Sequence, residues 1–86
     1  MFEKAWRALH AMSHPVRLQA LLLVSRQEWI VGDLATAIRL SQSALSHHLT
    51  RLRAAKLVRT RRENQKIYYR CDDETALGIL ATLHLR

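Results

Sequence analysis

Apolar residues recur at helical spacing along most of this chain and alternate only between Val58 and Cys71. Phe2, Trp6, Leu9 and Met12 lie one helical face apart in a stretch, Glu3 to Met12, rich in helix formers. Ser13-His14-Pro15 punctuates it. Ser13 is the expected N-cap of a second helix, and Pro15 falls in the first turn, where proline is tolerated. That helix runs to about Ser25. Val16, Leu18, Leu21, Leu22 and Val24 make it apolar enough to be central in a core. Glu28-Trp29-Ile30 is a short connection or a minimal strand. Val31 to Ile38 reads as a third helix with Leu34, Ala35 and Ile38 inward. Arg39-Leu40 is a turn, and Ser41 caps a fourth helix running from Gln42 to about Ala55, with Leu45, Leu49 and Leu52 on one face.

The period then changes. Val58 to Arg62 and Lys66 to Cys71 read as strands joined through Glu63-Asn64-Gln65. Ile67, Tyr69 and Cys71 fall on one face, and Lys66, Tyr68 and Arg70 on the other. Asp72 or Asp73 caps a fifth helix carrying Ala76, Leu77, Ile79, Leu80 and Leu83. The expected order is α-α-α-α-β-β-α. The fold class is mainly α with a β wing: one winged helix-turn-helix domain over residues 1–86, its helix-turn-helix at about 31–55 and its wing at about 57–71.

Composition narrows the class. Eighty-six residues bury a modest core, so oligomerisation is expected. A single cysteine excludes an intrachain disulfide. The longest continuous apolar run, Ala20 to Val24, is too short to span a bilayer, and the first residues show no basic leader before an apolar run. A cytoplasmic protein is expected, without a membrane partner. Charge adds more. Residues 39–70 hold nine basic groups and one acid, netting +8, while the rest of the chain holds five basic and six acidic groups, netting −1. One-sided segregation is the footprint of a polyanion partner, whereas a basic face made for solubility has no need of it.

The fourth helix carries the candidate chemistry. Opposite its leucines lie Gln42, Ser43, Ser46, His47, Thr50 and Arg51. Short polar groups in an N-terminal half let a backbone approach the major-groove floor, and their donors reach base edges or phosphates. An ordinary solvated helix face favours Glu, Lys and Arg, yet no acid occurs between Asp33 and Glu63. Arg59, Arg61, Arg62 and Lys66 flank the hairpin tip, where long cations suit backbone and minor-groove contact. Charges guarding a strand edge are the alternative reading of those four. A winged helix serving protein contacts would carry acids or large apolar groups on the outward face of the fourth helix, and none is there. An enzyme would need a nucleophile–base pair, a phosphate loop or a metal triad, and no such pattern occurs.

Ser13-His14-Pro15-Val16-Arg17-Leu18, Val31-Gly32-Asp33-Leu34-Ala35, LSQSALSHHLTRLRAAKLV and KIYYR, in that order, resemble the ArsR/SmtB family of bacterial repressors over nearly the whole chain. The resemblance implies a homodimer joined through the first and last helices (about 2–12 and 73–85), an inverted-repeat operator in double-stranded DNA, and repression of a nearby promoter relieved by an inducer. It does not supply the inducer. The thiolate motif of metal sensors would fall in Glu28-Trp29-Ile30-Val31-Gly32-Asp33, which has no cysteine. Of the zinc pattern on the last helix only Asp73 and His84 remain, with Thr75 where a histidine is expected. The redox- and sulfide-responsive branch, which includes the biofilm-growth and haemolysin-activating regulators, is the most similar, yet Leu22 stands at its first cysteine position and Arg86 falls short of the second. No metal or other cofactor is expected. Cys71 reads as a small buried hydrophobe, and His48 as a residue at the core edge or under the hairpin.

Overall fold

A computed structural model describes residues 2–85. The elements are α1 (Phe2–Met12), α2 (Pro15–Arg26), β1 (Trp29–Ile30), α3 (Val31–Ile38), α4 (Gln42–Ala54), β2 (Arg59–Glu63), β3 (Lys66–Arg70) and α5 (Glu74–Thr82). The expected order therefore gains one member. Glu28–Ile30 contributes a two-residue strand, which makes the hairpin a three-stranded antiparallel sheet of order β1-β3-β2. Trp29 pairs with Tyr69 and Ile30 with Tyr68, partners some forty positions away that no local period reveals.

The cap of α2 also differs from expectation. Pro15 at the first helical position forces its predecessor into extended backbone, so the cap falls on His14 (φ −152°, ψ 132°), whose Nδ1 accepts the Val16 N–H at 3.1 Å. Ser13 instead donates its hydroxyl back to the His10 carbonyl at 2.7 Å. Ser41 and Asp73 cap α4 and α5 by accepting from Ala44 and Ala76. Helices α3, α4 and α5 all finish alike. Arg39, Lys56 and His84 take left-handed backbone (φ 67°, 62° and 61°), and the leucine after each bonds back to the carbonyl five residues earlier. Glycine usually fills such a position. At Arg39 and Lys56 a cation does so, where it complements the negative end of the helix dipole.

The core is built around α2, which buries Ala20, Leu21, Val24 and Ser25. Leu34 and Ala35 of α3, Leu45, Leu49 and Leu52 of α4, and Ala76 and Leu80 of α5 pack with it. Two bonds tie the sheet to α2: the Cys71 N–H donates to the Val24 carbonyl at 2.9 Å, and the Trp29 indole donates to the Leu23 carbonyl at 3.1 Å. The β2–β3 hairpin closes through Asn64 and Gln65, both at positive φ, so Glu63 belongs to β2 rather than to the turn. Two central residues of that sign match the right-handed twist of the strands. Cys71 and Tyr69 face inward as their alternation requires, but Ile67 is exposed because the hairpin has by then run beyond the core. Four of the five exposed large apolar residues, Phe2, Trp6, Leu9 and Leu83, belong to α1 or to the end of α5.

Candidate nucleic-acid interface

Two α-helices of 8 and 13 residues, joined through Arg39-Leu40-Ser41, precede the hairpin. Burial of Leu45, Leu49 and Leu52 rotates the opposite face of α4 outward, and Ser43, Ser46, His47 and Thr50 are all exposed there. Thr50 donates its hydroxyl to the Ser46 carbonyl at 2.9 Å, which leaves its oxygen and methyl at the surface. The first turn of α4 holds no acid, so its positive dipole end and the backbone N–H groups other than Ala44's, which Ser41 takes, stay available to an anion.

The remaining sequence-predicted residues divide. Gln42 is exposed but folds back over α3: a Cβ at Gly32 would lie 3.3 Å from its amide nitrogen. Arg51 stands on the flank of α4 away from the leucines and lines a groove with Trp6, Arg7, His10 and Arg17. On the hairpin, Arg62 and Lys66 are exposed near the tip, and neither is ion-paired among the described residues. Arg59 pairs with Asp72. Arg61 is the most committed. Its Nε and Nη2 donate to the two carboxylate oxygens of Glu28 at 2.7 and 2.9 Å, and its Nη1 donates to Glu63 at 2.9 Å. Its guanidinium also lies over the Tyr68 ring, 4.4 Å from the centroid. The hydrogen bonds from Arg61 hold the Glu28 carboxyl below the usual carboxylate range. On the inner face, Tyr69 lines a recess between the hairpin and α4 with Leu49, Thr50 and Arg53.

Reasoning from segments missed two features. Glu28 lies outside the basic stretch and meets Arg61 only through the β1–β3 pairing. Arg17 comes from α2 and His14 from its N-cap, yet the fold sets them beside α4. The rings of His14 and His48 are 4.5 Å apart. The Nδ1 of His48 is buried with no hydrogen-bond partner among the described residues. Burial, then His14, Arg17, His47 and Arg51, push the His48 pKa down from its ordinary value. The folded state therefore holds the neutral ring, and the unfolded chain takes up the proton first as pH falls. Stability is complete above about 6.5, the ordinary histidine value, and is lost below it. Thermal melts from pH 7.5 to 5 should show a falling midpoint that His48→Leu flattens. An unchanged slope in that variant would assign the loss to other groups.

Among the described residues no group of three or more His, Cys, Asp or Glu side chains is placed to hold a metal, and no helix is long and apolar enough to cross a membrane. Cys71 is buried, and the Asp73 carboxylate is engaged as the α5 cap.

A polar helix face with an acid-free N-terminus, set beside a cationic hairpin on a five-helix, three-stranded frame, defines a winged helix-turn-helix DNA-binding protein. The chain belongs to the arsR family of bacterial regulatory proteins, whose family model matches residues 14–60, and is a transcription regulator rather than an enzyme. It is 49% identical over 75 residues to the nodulation protein NolR of Rhizobium meliloti, covering 87% of this chain and 62% of that protein's length. It is 41% identical over 81 residues to the transcriptional activator HlyU of Vibrio cholerae, covering 94% and 75%. The solution structure of Mb0332 from Mycobacterium bovis, a homodimeric winged helix-turn-helix DNA-binding domain, superposes with a TM-score of 0.87 at 30% identity, covering 98% of this chain and 78% of that one.

Proposed function

We propose that this chain acts in the cytoplasm as a homodimer that binds an inverted-repeat operator and lowers transcription from a nearby promoter by occupying it. The outward face of α4 carries this reading: Ser43, Ser46 and His47 offer short polar groups, unobstructed by acids, at the end of the helix that enters a major groove. Thr50 and Gln42 extend the reading face, Gln42 by swinging off Gly32. Arg51, Arg62 and Lys66 supply the positive surround, while Arg59 and Arg61 are held in ion pairs along the hairpin. The helices α1 and α5 form the dimer interface, because the exposed apolar residues gather there. A protomer measuring 37 × 24 × 21 Å allows two copies to set their α4 helices about 34 Å apart, one turn of DNA. The homodimeric state of Mb0332 supports the same arrangement.

Binding to the chain's own promoter should exceed binding to random duplex in a competition gel shift, and equal affinities would remove the sequence-specific reading. His47→Ala and Ser43→Ala should change base preference at single positions, each pairing discriminating by about 1–3 kcal/mol. Arg62→Ala should weaken binding to all sequences alike and lower the salt slope by about 0.9 for each phosphate no longer neutralised. A reporter driven by that promoter should rise when the gene is deleted, and a fall would make the protein an activator.

A further inference from the structure

We propose that Glu28 and Arg61 form a latch that sets the pose of the wing, and that Arg61 is a positioning residue rather than a phosphate ligand; this rests on the DNA-binding reading above. The geometry is specific. Arg61 sits in mid-strand, opposite Tyr68 on β3, and Tyr68 is in turn opposite Ile30 on β1. Glu28 lies two residues before Ile30, on the same side of the sheet by strand alternation. Arg61 therefore spans the sheet across the Tyr68 ring and takes Glu28 in a bidentate fork, the strongest form of this pairing. Its third nitrogen holds Glu63. Three of the five guanidinium N–H groups are taken by carboxylates, one on each nitrogen, and one of its faces is covered. Arg61 and its two carboxylates carry a formal charge of −1, which Arg70 beside Glu28 offsets, so the group offers phosphate no net positive charge.

The anchor end of the latch is firm. Glu28 adjoins Trp29, whose indole is bonded to the α2 backbone, and β1 runs directly into α3, the first helix of the helix-turn-helix. Besides the latch, the hairpin reaches the body through two β1–β3 residue pairs, the inward side of Tyr69 and, at its base, the bond from Cys71 to the Val24 carbonyl. Tying β2 to Glu28 fixes the wing relative to the reading helix, so Arg62 and Lys66 at the tip meet the phosphates in register with α4. Without the latch the wing must be ordered again at each binding event, which costs affinity without changing how many phosphates are neutralised.

Operator affinity and its salt dependence test this in full-length Glu28→Ala, Arg61→Ala, Arg61→Lys and the Glu28→Ala/Arg61→Ala double variant, with melting curves to confirm folding. Each single variant should bind about three- to tenfold more weakly, and the double no more weakly than either single, as expected for two residues acting as a unit. Salt slopes should stay at the wild-type value. Arg61→Lys should be as weak as Arg61→Ala, because lysine keeps the charge but cannot make the fork. Tighter binding by Glu28→Ala, wild-type affinity in Arg61→Lys, or a slope lowered by about 0.9 in Arg61→Ala would overturn the latch and return Arg61 to the phosphates. If the wild-type protein binds neither its promoter nor random duplex, the DNA-binding reading fails first. The latch is then decided by amide exchange at Arg62–Lys66, which it requires to speed up in Glu28→Ala.

Discussion

Glutamates at Leu9 and Leu83 together should leave a folded monomer that binds its operator about 10²–10⁴-fold more weakly, the factor by which two linked binding modules exceed one. Both side chains are more than half exposed, at 54% and 52%, so neither supports the core of one protomer. They line one shallow groove with Ile79, Gly78 and Thr75, where α1 meets α5. Phe2 and Trp6 continue the apolar surface along α1. An isolated exposed leucine is ordinary, but several large apolar groups on two adjoining helices mark an association surface. Two carboxylates per protomer at a two-fold interface would be buried without partners, a cost that prevents association. Light scattering should show half the mass, circular dichroism an unchanged helix content, and anisotropy the weakened binding. A variant that remains a dimer with full operator affinity would exclude this face from the interface.

What could be read in the sequence follows the range of the interactions. Helix α4 was legible because its leucines repeat locally and Ser41 caps it through a bond three residues away. The αL–leucine endings at Arg39, Lys56 and His84 are local as well, but the usual glycine signal is missing, so only the backbone reveals them. Strand β1 was legible only as an alternative, because two residues have no period and their partners lie on β3. The same range limits what a charge count can say. Counting residues 39–70 assigned +8 to one surface, yet two of those arginines are neutralised by acids counted elsewhere, Arg59 by Asp72 and Arg61 by Glu28. Arg17, counted outside, lines a groove with Arg51. Under the latch proposed above, contact with phosphate passes from Arg61 to Arg62 and Lys66, neither of which is ion-paired among the described residues.

Leu49→Ala should lower stability by about 2–5 kcal/mol, a large part of the about 5–15 kcal/mol that separates a domain from unfolding. Leu49 is fully buried and lies on the face of α4 that packs on α2 and α3, and the recess it shares with Tyr69 reaches the wing. Removing three of its carbons opens a cavity at the junction of the reading helix and the hairpin. The effect on DNA binding should then come through folding alone. Saturating operator binds only the folded state and should restore part of the lost melting temperature. Ser46→Ala, one turn away on the outward face, should do the reverse: stability within about 0.5 kcal/mol of wild type, with altered base preference. Urea titrations with and without operator separate the two. A Leu49→Ala protein as stable as wild type would mean that the α4 leucine face is not the core seam, and with it would fall the rotation that presents Ser43, Ser46 and His47 to DNA.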